Sequence, residues 1–269
     1  MSVLLVKTTA ELTALAGTAT AGDTYFNSDT KNIRVWDGTN WMVYANDGLS
    51  LNSITSTSSL LLNGADEHVY LPPNNAYAFG TNDFSVVAWV KYTTISSTYS
   101  AIWDFRSSSM GVDPSLFISS NNPKLYHYTG DGYGASYNND IGANTWNMIT
   151  VVREAGVIRM YLGDLLVASG TNSKNYVNSN GIKIGIGGNN SYELTGNIDE
   201  FSVYNKALQA GQIKEIYRGQ AAKDLDPLQP LTWLRFGEGD SGTTVTDHGN
   251  LGNHASLINN ASFDTVNHI

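Results

Sequence analysis

The chain has 269 residues, 41% of them hydrophobic and 11% aromatic, which is enough for one sizeable core with smaller appendages. Only 14% are charged, the net charge is −9, and no Lys/Arg cluster occurs, so nucleic-acid binding and adhesion to anionic membranes are excluded as the basis of function. Cysteine is absent, so disulfides and thiolate chemistry play no part. Polarity comes instead from Asn, Ser, Thr, Gly and Tyr, as expected of a β-rich chain with many turns.

The first residues do not form a signal peptide: the apolar run at 3–6 is short and no basic region precedes it. No stretch approaches membrane-spanning length, so membrane insertion is not expected. The expectation is a protein made and assembled in a cytoplasm.

Residues 1–47 read as a small unit. A short helix is predicted over 8–16, capped by Thr8 or Thr9 and followed by Gly17. Strand, turn, strand, an Asp37-Gly38 hairpin and a last strand ending near Trp41 follow. So short a unit buries little core of its own and is expected to pack on the main domain or on another subunit. Residues 48–59 read as a polar linker.

The main domain is predicted over 60–219. Strands are expected at 60–73, 83–90, 101–105, 115–119, 146–167 and 182–187. In the second of these, Phe84, Val86, Ala88 and Val90 alternate with Ser85, Val87, Trp89 and Lys91. Gly163-Asp164 suits a II′ turn inside 146–167. Residues 196–204 alternate as a strand, with Asp199, Phe201 and Val203 on one side and Glu200, Ser202 and Tyr204 on the other. The period then changes, and Ala207, Leu208, Ile213, Ile216 and Tyr217 suit one face of a short helix.

This closing segment, matched at Gly196, Ile198, Asp199, Glu200, Phe201, Val203, Tyr204, Ala207, Leu208, Ile213 and Tyr217, resembles the end of laminin G-like (concanavalin A-like) jelly-roll domains. The resemblance implies an all-β fold, a two-sheet antiparallel jelly-roll sandwich, here preceded by a small N-terminal helix-plus-hairpin unit. Residues 231–263, inside the C-terminal segment 220–269, resemble the segment that usually begins such domains. They are expected either to fold back and complete the sandwich or to bridge to a neighbouring subunit. Gly22, Asp23, Phe26, Asn27, Val35, Asp37, Gly38 and Trp41 resemble a module of bacteriophage tail-fibre and other virion proteins.

Candidate sites follow. Tyr126, Tyr128, Tyr133 and Tyr137, with Asn189, Asn190 and Tyr192, combine aromatic faces with amide donors and acceptors, as a glycan site would; the alternative is an ordinary strand pair with tyrosines at its rim. The family resemblance implies a structural Ca²⁺ at Asp199, with Asp66 as the second ligand; the alternative is that Asp199 caps turn amides near Gly196. A glycosidase needs paired acids on one strand face. Asp199 and Glu200 are adjacent and predicted to point apart, so catalysis is not expected. The glycine-rich run 181–190 lacks the Lys-Ser/Thr pair of a phosphate loop, and His248 with His254 lacks further zinc ligands.

The function expected is a non-enzymatic, homo-oligomeric virion protein, on capsid or tail, with other virion proteins as partners and a host glycan as a further ligand. The alternative is a lectin-like module outside any particle.

Overall fold

The computed structural model describes residues 5–20, 23–28, 32–36, 39, 41–43, 49–95, 97–106, 111, 113–121, 124–129, 132–177, 180–265 and 268; for 26, 32, 33, 35, 42, 43 and 133 it describes the backbone alone. Asp37-Gly38 lies outside the described residues.

The N-terminal unit contains β1 (Leu5–Lys7), α1 (Thr9–Leu15), β2 (Thr24–Asn27), β3 (Asn32–Trp36) and β4 (Trp41–Val43). Its strands form one sheet in sequence order, with β1 parallel to β2 and the rest antiparallel. Thr8 caps α1 in a reciprocal box with Glu11, whose carboxylate accepts from the Thr8 amide at 2.7 Å. The unit has a small aromatic core: Trp41 lies 5.2 Å from Trp36 and 5.5 Å from Tyr25, and its Nε1 donates to the Leu12 carbonyl at 2.7 Å.

The remaining strands are β5 (Ser59–Asn63), β6 (His68–Leu71), β7 (Phe84–Thr94), β8 (Tyr99–Asp104), β9 (Ser115–Ser119), β10 (Leu125–Tyr128), β11 (Tyr133–Tyr137), β12 (Asn147–Glu154), β13 (Val157–Leu162), β14 (Leu165–Thr171), β15 (Ile182–Ile184), β16 (Thr195–Tyr204), β17 (Thr232–Leu234), β18 (Thr244–Val245), β19 (Ala255–Ile258) and β20 (Ser262–Asp264). Helix α2 (Ala210–Tyr217) follows β16. The front sheet runs β11-β10-β9-β8-β15-β6-β19-β18, the back sheet β14-β13-β12-β7-β16-β5-β20, with β17 also on β16. Every strand pair described in the two sheets is antiparallel. This is the all-β, two-sheet sandwich of a concanavalin A-like jelly roll.

The core between the sheets is apolar and rich in aromatic rings. Phe84, Val86, Ala88 and Val90 of β7 face Trp103, Phe105, Leu116 and Ile118 from the front sheet. The alternate residues of β7, Val87 and Trp89, point outward into a second apolar layer. There α2 contributes Ile213 and Ile216, and Leu51, Leu225, Leu228 and Trp233 complete the cover. Within the stretch 48–59 predicted to be a linker, Leu51 is buried against the back sheet's outer layer, Ser53 is bridged to Lys223, and Ser59 begins β5.

The segment after residue 230 pairs within its own chain. Strand β17 adds to β16, β19 to β6 and β20 to β5, so both sheets gain strands from it. Asp247 staples the segment: its carboxylate accepts from the amides of Trp233, Gly249 and Asn253, each at 2.8 Å.

On one flank the two sheets meet. Strands β11 and β14 run close together, and a Cβ at Gly170 would collide with the Gly134 carbonyl. Glycine at 170 is what allows the two backbones to touch.

Candidate functional site

The outer face of the front sheet carries a cluster of rings. In β9, Leu116 and Ile118 turn to the core, which leaves Phe117 facing out. Its register partners are Ala101 on β8 and Tyr126 on β10. Phe117 and Tyr126 stack at 5.5 Å, and Tyr99 meets Tyr126 edge-on at 5.6 Å. Tyr192 closes the group, edge-on to Tyr99 at 5.7 Å and to Phe117 at 5.9 Å. Phe117 and Tyr126 are buried at the base, while Tyr99, Tyr128 and Tyr192 are half-buried at the rim.

Tyr192 is delivered by a strained turn. Its φ is +67° and that of Asn190 is +58°, a region costly for an aromatic residue. The strain is held by backbone bonds: Ala101 N–H donates to the Tyr192 carbonyl at 2.8 Å, and Gly187 N–H to that of Ser191 at 2.7 Å. Asp104 anchors the same turn, accepting from the Gly188 amide at 2.8 Å. A side chain at Gly188 would strike the Arg106 carbonyl, so glycine is required there.

Asp104 also holds Arg106 through Nε at 2.8 Å and Nη2 at 2.6 Å. The guanidinium is sandwiched between Phe117, 5.2 Å away, and Tyr128, 4.9 Å away. Cation, carboxylate and rings thus brace one another in the platform. Lys183, on the neighbouring β15, donates to the Gly188 carbonyl at 2.9 Å, and burial draws its ammonium pKa down.

Of the residues expected to form a glycan site, Tyr126, Tyr128 and Tyr192 come together here, and Asn189 and Asn190 are exposed on the turn beside them. Tyr137 does not join them. It pairs with Leu125, whose neighbour Ile118 faces the core, and it packs against the core side. The side chain of Tyr133 lies outside the described residues. Tyr99, Phe117 and Arg106 were not anticipated. An aromatic residue at the outward position of the Ser115–Ser119 strand was the available signal for Phe117.

The acids of β16 depart from expectation. A bulge between Asp199 and Ser202 breaks the register with β7, and Glu200 has a φ of +49°. Asp199 pairs with Trp89, and Ser202 with Val87, both on the outer side of the back sheet. Asp199 therefore does not share the core side of Phe201 and Val203. Glu200 faces outward too, accepting from Trp233 Nε1 at 2.5 Å and from Arg235 Nε at 3.2 Å. The two acids predicted to diverge lie on one face and repel each other. Burial, reinforced by the Asp199 charge, pushes Glu200 up to about 7, and burial raises Asp199 well above the usual carboxylate range.

Asp66 is not beside Asp199. Asn63 pairs with Thr195, four residues along β16 from Asp199, and Asp66 lies beyond Asn63, which separates the two by more than ~13 Å along the strand. Asp66 instead accepts from Asn259 Nδ2 at 3.0 Å, while Asp199 accepts from Ser56 Oγ at 3.0 Å and the Glu200 amide at 2.8 Å. Among the described residues no group of three or more acids and histidines is arranged to hold a metal ion. His254 and His248 are likewise engaged locally, the first accepting from the Asp247 amide at 3.0 Å and the second 2.9 Å from the Glu238 carbonyl.

A laminin G-type family model, described as the concanavalin A-like lectin/glucanases superfamily, matches residues 63–214. No curated protein matches the chain. Among solved structures, a candidate carbohydrate-binding protein from Bacteroides ovatus aligns over 93% of this chain and 71% of its own, with a TM-score of 0.61 and 14% identity. Domain 4 of an extracellular arabinanase from Geobacillus stearothermophilus, in complex with arabinotriose, aligns over 64% of this chain and 84% of its own (TM-score 0.49, 17% identity). The carbohydrate-binding module of a Ruminococcus gnavus sialidase aligns over 62% of this chain and 100% of its own (TM-score 0.47, 13% identity). At these identities the likeness is one of fold.

Proposed function

Because this chain belongs to the concanavalin A-like lectin/glucanase superfamily, we propose that it is a non-catalytic carbohydrate-binding protein that grips glycans on the outer face of its front sheet. The observation that supports this reading is the platform of Tyr99, Phe117, Tyr126 and Tyr192, ordered by a strained turn and a buried Asp104–Arg106 pair. Sugar rings stack their apolar faces on such aromatics while their hydroxyls bond nearby amides, here those of Asn189 and Asn190. The candidate carbohydrate-binding protein from Bacteroides ovatus, which has this fold, is in keeping with it. Catalysis has little support: the carboxylates that share a face, Asp199 and Glu200, are buried on the other sheet.

Screening the protein on a glycan array tests the reading. Saturable binding is expected, and Tyr192→Gly should weaken it about tenfold, the worth of one stacked ring. Glycine tolerates the positive φ, so the ring is removed without new strain. Binding unchanged in this variant would move the site elsewhere, and no binding to any glycan would remove the function.

Display on a bacteriophage particle, as capsid decoration or tail fibre, is a second reading. It draws support from the N-terminal unit, whose edge strand β1 leaves Leu5 57% and Val6 61% exposed and offers an attachment surface. Cryo-electron microscopy of purified particles locates the protein on capsid or tail, or shows it absent. Light scattering gives the oligomeric state.

A further inference from the structure

His268, beyond β20, lies against the outer face of the back sheet, and its ring has no exposed side-chain surface. It stacks on Trp89 at 4.4 Å with planes 21° apart, and meets Trp146 edge-on at 6.2 Å. Its Nδ1 lies 2.8 Å from Asp199 Oδ2. Its other nitrogen, Nε2, is buried without a partner. The second oxygen of Glu238 is in the same condition.

An apolar side chain in the same place would leave no buried nitrogen unpaired, so packing alone does not account for a histidine here. The place has the parts of a recognition site: an indole floor, an indole edge, and a carboxylate whose Oδ2, shared with Ser56 Oγ, meets the ring while Oδ1 accepts from the Glu200 amide. The charges around it are set by Glu200 and Arg235, paired at 3.2 Å, by Glu238, which accepts from the Thr57 amide at 2.5 Å, and by Lys91, 5.2 Å above the Trp146 ring.

We propose that the slot between Trp89 and Trp146, with Asp199 at its edge, is a second ligand site, specific for a planar nitrogen heterocycle, and that His268 fills it in cis. A free ring would stack on Trp89 and exchange a hydrogen bond with Asp199, as the histidine does now. The site lies on the sheet opposite the glycan platform, so its fate does not depend on that of the platform.

Imidazole is the probe, and the fluorescence of Trp89 and Trp146 is the readout. His268→Gly in the full-length chain should bind imidazole saturably, with quenching and a rise in melting temperature that wild type lacks at the same concentration. Adding Asp199→Asn should weaken that binding at least tenfold. A folded His268→Gly protein that shows no saturable response would overturn the proposal, as would equal binding with and without Asp199→Asn. Should His268→Gly fail to fold, His268→Ala takes its place under the same readout; a folded His268→Ala protein without a saturable imidazole response would refute the site.

Discussion

The two outer faces of this sandwich carry similar residues and meet different fates. On the back sheet, Val87, Trp89, Met148, Tyr161 and Tyr204 are roofed by α2, the 49–54 segment and the residues around Leu228. On the front sheet, Phe117 and Tyr126 are bordered by other rings and by the Arg106 guanidinium, and the outermost rings remain half-exposed. A protein that covers one aromatic face with its own chain and leaves the other edged with tyrosines separates stability from recognition. The covered face contributes apolar burial; the uncovered one keeps its rings for a partner.

The largest break in that contrast comes from removing the roof. Ile213→Ala, at a fully buried position, should cost roughly 2–5 kcal/mol in urea unfolding and leave glycan affinity unchanged. A loss below 1 kcal/mol would mean that the helix is an ornament to the sheet rather than part of its core. The reverse experiment is milder. Tyr192→Gly, which weakens binding, should shift stability by less than about 1 kcal/mol, because a half-exposed ring is lost while backbone strain is relieved.

Titration probes the covered face, where two buried groups act in opposite senses. Glu200 has a folded pKa of about 7 against an ordinary 4.5, so it stabilises the fold below pH 4.5 and loses that contribution as pH rises through 7. His268 has the opposite sense: held down to about 4, it favours the fold above pH 6.5 and disfavours it as pH falls toward 4. Below pH 6.5 the two contributions oppose each other; between pH 6.5 and pH 8 melting temperature should fall through Glu200, and Glu200→Gln should flatten that slope. A slope identical to wild type would show that the bulge carboxylate does not titrate in this range. The smallest effect expected lies outside the sandwich. Thr8→Ala removes the cap of α1 and should destabilise the N-terminal unit by about 1 kcal/mol, read by hydrogen exchange confined to residues 9–15.

Much of the sandwich was legible from the chain. The alternation of Phe84 to Val90 assigned both faces of β7 correctly, because an unbroken strand has a strict period of two. The period failed at Asp199. A positive φ at Glu200 has no sequence signature in a residue that is neither Gly nor Asn, and one inserted residue reverses the face of those before it. The glycan candidates were half legible for a similar reason. Tyr126 and Tyr128 sit on one strand and could be found from their spacing, but Tyr99, Phe117 and Arg106 join them only through cross-strand register. Tyr137 was misplaced because it lies across the hairpin from Leu125, and Leu125 faces inward.

The contact between Gly134 and Gly170 has a consequence for self-assembly. Strands β11 and β14 are the outermost strands of their sheets on that flank, and by closing on each other they offer no free ladder of amides and carbonyls to another molecule. Strand-to-strand polymerisation is thus directed to the opposite flank, where β18 has two residues and β20 three. Edges so short hold a neighbour by only a few backbone bonds. Larger side chains at the two glycines would prise the closed flank open and turn a protected seam into an aggregation edge.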